Sequence, residues 1–191
     1  MARHGSRGPL MIGPLIAALG FGLFAVPSVG DSYWKAFFPA IIVLGFGMAV
    51  TVAPLTTSVM NSVNEDRVGA ASGINNAVAR VAGVLAIAVF GIVMVKAFGL
   101  RLNHSLAHFS LQPGVLQEIR AEATKLAGLH VPTGLDPGTK ASIAQSIGEA
   151  FVFGYRIVML ICAGLALASA AVAWRMIPKS GAGLGPHPGS V

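Results

Sequence analysis

From Ala36 to Asn64 the chain carries no charged residue, and from Val81 to Val95 it again carries none. Leu10–Val29 and Ile157–Trp174 repeat the pattern. An α-helix rises about 1.5 Å per residue, so about 20 such residues cross the roughly 30 Å hydrocarbon layer of a bilayer. Runs of this length would be too apolar all round to leave a soluble domain any wet face. Only 10% of the 191 residues are charged while 54% are hydrophobic, against about 25% charged in ordinary soluble domains. The expected fold is an all-α membrane protein with four transmembrane helices.

The net charge of +6 raises the question of nucleic acid, but the basic residues stand singly at segment ends. No basic patch is interleaved with aromatics, so no nucleic-acid partner is expected. The cationic bias of cytoplasmic membrane loops accounts for the charge. Cys162 is the single cysteine; it has no disulfide partner and no metal-ligand spacing. His104 and His108 share a helix face, but two ligands do not make a metal site. No metal and no cofactor is expected, and no nucleophile or phosphate-loop pattern makes a case for an enzyme.

In chain order, residues 1–9 read as a short basic loop and 10–29 as the first span. A basic start before an apolar run is also the layout of a secretory signal, but three more apolar segments follow it. Asp31–Lys35 is a polar turn whose Tyr33 and Trp34 suit an interfacial aromatic belt. The second span is expected at 36–60. Pro39 falls in its first turn, while Pro54 lies in its interior, where a kink is expected with neighbouring threonine hydroxyls bonding the freed carbonyls. After the Glu65-Asp66-Arg67 turn, a third helix is expected at 68–98. Its charge-free centre, bracketed by Arg80 and Lys96, covers only about 22 Å, so one bracketing charge must snorkel or face a protein-lined space.

Residues 99–149 form the one long polar region, with short amphipathic helices. Val115, Leu116, Ile119, Ala123 and Leu126 recur at helical spacing, and Asp136-Pro137 reads as an N-cap followed by proline at the first helical position. The fourth span is expected at 150–177, with Arg156, Trp174 and Arg175 as anchors. Residues 178–191 read as a disordered cytoplasmic tail. Arg3, Arg7, Arg67, Arg175 and Lys179 would share one side, which places both termini in the cytoplasm and the 99–149 loop outside a cell membrane.

Several stretches are similar to one family. The GFG, APLTT and GAASGINNAVARVAG elements of residues 45–83 resemble the fourteen-helix drug:proton antiporters (EmrB/QacA type) of the major facilitator superfamily. Arg3-His-Gly-Ser-Arg7 resembles that superfamily's cytoplasmic loop motif, without the acidic residue that usually precedes it. The resemblance implies a C-terminal piece: the last four helices of a two-bundle transporter, part of its second bundle. Its implied partners are the bilayer, the missing N-terminal helices, and, in the complete protein, a proton and an amphipathic organic substrate. A piece of this size would not transport alone. An alternative is a stand-alone four-helix assembly or regulatory subunit.

Two helix faces carry the candidate residues. On the third helix, Gly69, Gly73, Asn76, Arg80 and Gly83 share one side. Either Arg80 and Asn76 border a water-filled substrate path, or Arg80 snorkels to the headgroups and the glycines, with Gly91, serve helix packing. On the second helix Gly47, Thr51, Pro54, Ser58 and Asn61 form a similar stripe. Thr51 and Ser58 then line the path beside a Pro54 kink, or simply bond their own backbone. No Asp or Glu falls in an expected span, so a proton-carrying carboxylate is not expected here.

Overall fold

The computed structural model describes residues 7–60, 63–109, 111–131 and 134–176. Among these the chain is helical, with no strand: α1 (Arg7–Phe24), α2 (Tyr33–Ala36), α3 (Phe38–Met60), α4 (Val68–Leu106), α5 (Pro113–Ala121) and α6 (Pro137–Met176). Short 3-10 turns occupy Glu65–Arg67 and Ala123–Gly128. Tyr33–Met60, Glu65–Leu106 and Pro137–Met176 are long and apolar enough to cross a membrane, and Gly8–Phe24 is a shorter apolar helix. Residues 1–6 of the expected basic loop (1–9), the tail (178–191) and Asn61 of the second stripe lie outside the described residues, while residues 7–9 of that loop already belong to α1.

Helix limits differ from the sequence expectation for identifiable reasons. The first helix stops at Phe24, not Val29: the N–H groups of Ala25 and Val26 bond back to Gly22 and Leu23, and Pro27 has no N–H to continue the ladder. The turn that follows uses Gly30 at φ +88°, a conformation that costs glycine little. Ser28 N–H donates to Asp31 Oδ2 at 2.6 Å across it. The third long helix does not end at Phe98. Phe98, Leu102 and Leu106 recur every four residues and are all buried, so the apolar stripe carries the helix on through Gly99. The fourth opens at Pro137 instead of 150. Asp136 Oδ2 accepts the Thr139 N–H at 2.9 Å, capping an orphan donor, and Pro137 follows at the position where a missing N–H costs nothing. The expected 99–149 loop is therefore helix at both ends.

α1 sits between α3 and α6; α6 also holds α4, while α3 and α4 meet sparingly. The α1–α3 crossing is close because its residues are small. A Cβ on Gly20 would stand 2.8 Å from the Leu44 Cα, and one on Gly47 would stand 2.5 Å from the Ala17 backbone nitrogen. Bare backbones meet there, the packing mode that bilayer helices use in place of a hydrophobic driving force. α4 meets α6 where Gly154 accepts the Met94 side chain, whose sulfur would lie 2.8 Å from an added Cβ.

The tightest packing is outside the long apolar runs. Phe98, Leu102, Leu106, Ile119, Leu129, Ile143, Ile147 and Ala150 form one buried cluster. It joins the end of α4, α5, the 3-10 turn after it and the start of α6 into a helical cap. Arg120 Nε donates to Asn103 Oδ1 at 2.9 Å and Lys125 pairs with Glu122, closing the cap's polar surface.

Candidate functional site

The α3 stripe divides into two parts. Gly47 and Thr51 are used by packing: Thr51 Oγ1 donates to the Gly47 carbonyl at 2.7 Å and lies 2.2 Å from where a Gly13 Cβ would stand. Thr56 and Thr57 likewise bond the Val52 and Ala53 carbonyls, each at 3.0 Å. With one hydrogen each, these hydroxyls do not serve Val50, whose carbonyl Pro54 leaves without a helical donor. The expected threonine compensation is therefore misassigned, because each side chain bonds the carbonyl one turn before itself. The helix runs unbroken through Pro54. Ser58 Oγ is buried and has no hydrogen-bond partner among the described residues, an uncommon condition for a buried hydroxyl.

Thr51 also borders a cavity of about 230 Å³ with Leu10, Pro14, Leu55, Ser169 and Met176. A second space, of about 460 Å³, lies between the end of α3 and the start of α4, lined by Val59, Val63, Arg67, Ala71, Asn75 and Val78. It is Asn75, not Asn76, that faces this crevice. Asn76 and Arg80 are exposed, and neither described ion pair, Arg67–Asp66 nor Lys125–Glu122, involves Arg80. A Cβ on Gly69, Gly73, Gly83 or Gly91 would have no atom within 4 Å. The face bearing Asn76, Arg80 and these glycines thus meets no described part of the chain. The two stripes are not brought together across one lumen.

Sequence reasoning treated Arg156 only as an interface anchor. In the structure one of its terminal nitrogens donates to the carbonyls of Val26 and Pro27, each at 3.1 Å, and to Ser28 Oγ at 2.9 Å. It ties the frayed end of α1 to α6. The available signal was a positive charge opening a charge-free run and a proline-interrupted helix end with carbonyls to offer, but nothing in either stretch specifies the other. Tyr33, Trp34, Phe37 and Phe38 form a ring cluster beside this junction, with Trp34 and Phe38 centroids 5.2 Å apart and Tyr33 stacked on Phe37 at 6.1 Å. His104 and His108 stand edge to face at 5.5 Å; among the described residues no group of three metal-ligating side chains occurs.

Long apolar helices, backbone-close glycine crossings and an aromatic girdle at one end define a polytopic membrane protein. Residues 1–103 match the Major Facilitator Superfamily, and the chain belongs to that family of membrane transporters. It is 26% identical over 180 residues to the tetracenomycin C resistance and export protein of Streptomyces glaucescens, covering 91% of this chain and 32% of that protein. It is 24% identical to the multidrug resistance protein Stp of Mycobacterium tuberculosis, over 94% of this chain and 34% of Stp. With the methyl viologen resistance protein SmvA of Salmonella typhimurium the identity is 23%, over 94% and 35% of the two chains. The chain therefore spans about a third of the length of the curated relatives it matches. No solved structure matches significantly.

Proposed function

We propose that this chain works as the C-terminal part of a proton-coupled multidrug exporter of the fourteen-helix kind, in the cell membrane. α1, α3, α4 and α6 supply four spans, both termini are cytoplasmic, and the helical cap stands outside. Arg80 and Asn76, with Thr51 and Ser58, border the path of an amphipathic organic substrate, and a flexing Pro54 lets α3 bend. One observation carries this reading. The face of α4 that carries its arginine and glycines meets no described part of the chain, while relatives named for resistance and export are about three times as long. A span that is bare of partners, and that carries a guanidinium, calls for protein or water on that side.

Helix register supports a deep position for Arg80. Met94 stands against Gly154, so on antiparallel axes Arg80 lies about 9 Å inside the level of Trp174 at 1.5 Å per residue. That is beyond the interfacial belt that Trp174 would mark and short of the midplane. The same counting, through Gly47 against Ala17 and Arg156 against Pro27, sets Ser58 and Asn76 close to the Trp174 level. The four candidates then gather toward the cytoplasmic mouth. No carboxylate lies in the apolar centre of any described helix, so the proton is carried elsewhere in the complete exporter.

The test is efflux of a fluorescent cationic dye from cells lacking their own exporters. The chain expressed alone is expected to give none, and co-expression with the preceding two thirds of a relative-length protein is expected to restore it. In that complex Arg80→Gln should slow efflux by about tenfold or more, the value of a charged hydrogen bond, with Arg80→Lys keeping part of it. Proton-driven efflux by the chain alone would overturn the proposal that further helices are required.

A further inference from the structure

A cavity of about 490 Å³ opens where the end of α1, the outer part of α4 and α6 converge. Ser28, Arg101, Gln145, Glu149, Phe153 and Arg156 line it. Nothing in the transport reading uses it, since it lies at the opposite end from Arg80, Asn76 and Ser58.

Its charges are unbalanced in a specific way. Arg156 spends one terminal nitrogen on three neutral acceptors, and its Nε is buried without a partner among the described residues. Arg101 lies 5.8 Å over the Phe153 ring, a cation–π contact that orients a guanidinium without neutralising it. The one carboxylate in the lining, Glu149, accepts from Gln145 Nε2 at 3.0 Å. It is not within ion-pair distance of either arginine, since the described ion pairs are Arg67–Asp66 and Lys125–Glu122. Two forked cations thus share one partly enclosed space with donors to spare. Guanidinium groups match the oxygens of phosphate two at a time, and are stronger for it than a point charge.

The position of the cavity identifies the source of the anion. Arg156 grips Val26–Ser28, immediately before the turn that presents Tyr33 and Trp34, which are 54% and 69% exposed. Aromatic residues of this kind mark headgroup depth. Beside the arginines the wall turns apolar, with Val29, Val152 and Phe153 in the lining and Val29 and Phe153 exposed. A charged head with a greasy neighbour is the arrangement of basic lipid pockets between transmembrane helices.

We infer that the Arg101–Arg156 cavity binds the phosphate of an anionic phospholipid, which seals α1 and α4 to α6 at the outer interface. This rests on the membrane reading of the chain. The test uses the full chain reconstituted in nanodiscs of phosphatidylglycerol or of phosphatidylcholine, with incorporation scored separately, so that a failure to insert is distinguished from a failure to select lipid. Lipids retained by the purified protein are then counted by native mass spectrometry. Phosphatidylglycerol should be retained in preference, and Arg101→Gln should weaken that preference by about fivefold, the value of one basic residue near an anionic surface. Glu149→Gln, which removes the opposing charge and leaves the fold's contacts to α1 intact, should strengthen it. Equal retention of the two lipids by inserted protein would overturn the site. So would an Arg101→Gln variant that inserts and selects like the parent. Saturation by millimolar inorganic phosphate with no lipid preference would overturn the lipid assignment.

Discussion

α4 passes through two different environments. From Val68 to Lys96 it has no buried residue; from Ala97 to Leu106 it has four, Ala97, Phe98, Leu102 and Leu106. The change falls where the helix leaves its charge-free run and enters the cap. In the cap, water drives Phe98, Leu102 and Leu106 against Ile143 and Ile147, because apolar area removed from water is worth about 25 cal/mol per Å². Along the earlier stretch lipid tails are as good a solvent for Val84 or Ile87 as a neighbouring helix would be, and association there relies on close packing alone. One helix thus has one end packed against its own chain and a longer stretch with no buried residue.

The comparison breaks most visibly in the cap. Phe98→Ala removes a fully buried ring and should cost about 3–5 kcal/mol, read as lost amide protection across residues 98–106 and 143–150 in detergent. Ile87→Ala, at a side chain 76% exposed, should change stability by no more than about 0.5 kcal/mol in the same preparation. Equal costs at the two positions would mean that α4 has a partner along its inner stretch in this chain. In the longer complex the Ile87 cost is expected to rise.

Next in size is the α1–α3 crossing. Gly47→Ala sets a methyl 2.5 Å from the Ala17 backbone nitrogen, and neither backbone has a flexible end to move. About 1–3 kcal/mol of overpacking strain is expected. Gly154→Ala should cost less, because the atom it meets first is the Met94 sulfur, which can swing aside. Gly73→Ala has open space and should be neutral or slightly stabilising in the chain alone. The contrast sharpens under the proposal of a longer exporter: if Gly73 packs against a helix supplied by it, the substitution becomes costly only in that context. Cross-linking efficiency and thermal stability of the two preparations read the difference.

Much of this was legible in the residues. Charge-free runs give the existence of the long helices, because nothing but hydrocarbon tolerates them, and the Asp136-Pro137 pair gives the start of α6. Helix ends were less legible. A stop after Phe98 follows from the run of charge, Lys96 and Arg101, and from Gly99; the continuation follows from the four-residue spacing of Phe98, Leu102 and Leu106, which acts only once Ile143 and Ile147 are opposite. The glycines show the same limit. The sequence marks Gly69, Gly73, Gly83 and Gly91 as packing residues, but among the described residues it is Gly13, Gly20 and Gly47 that have another helix's backbone beside them. The Arg156 bonds to residues 26–28 were hidden for the same reason, since they join positions more than a hundred residues apart. The candidate path depends on helix partners, so it was legible as a face and not as a lumen.

The smallest effect expected concerns the start of α6 within the cap. Asp136 is held below the ordinary carboxylate value of 3.8 by the Thr139 backbone N–H, then by the Thr139 hydroxyl. A depressed folded-state pKa means that the ionised form is favoured by folding. The contribution is therefore complete above pH 3.8 and is lost as pH falls below it, through the folded-state value. Because Asp136 is fully exposed, the loss is local: the first turn of α6 frays while the Ile143–Ile147 packing persists. The Thr139 amide resonance should move with pH in that acid window, and in Asp136→Asn the titration should vanish while the cap hydrogen bond remains, since an amide oxygen also accepts it. A Thr139 amide that titrates identically in Asp136→Asn would show that another group, not this cap, sets the acid behaviour of the α6 start.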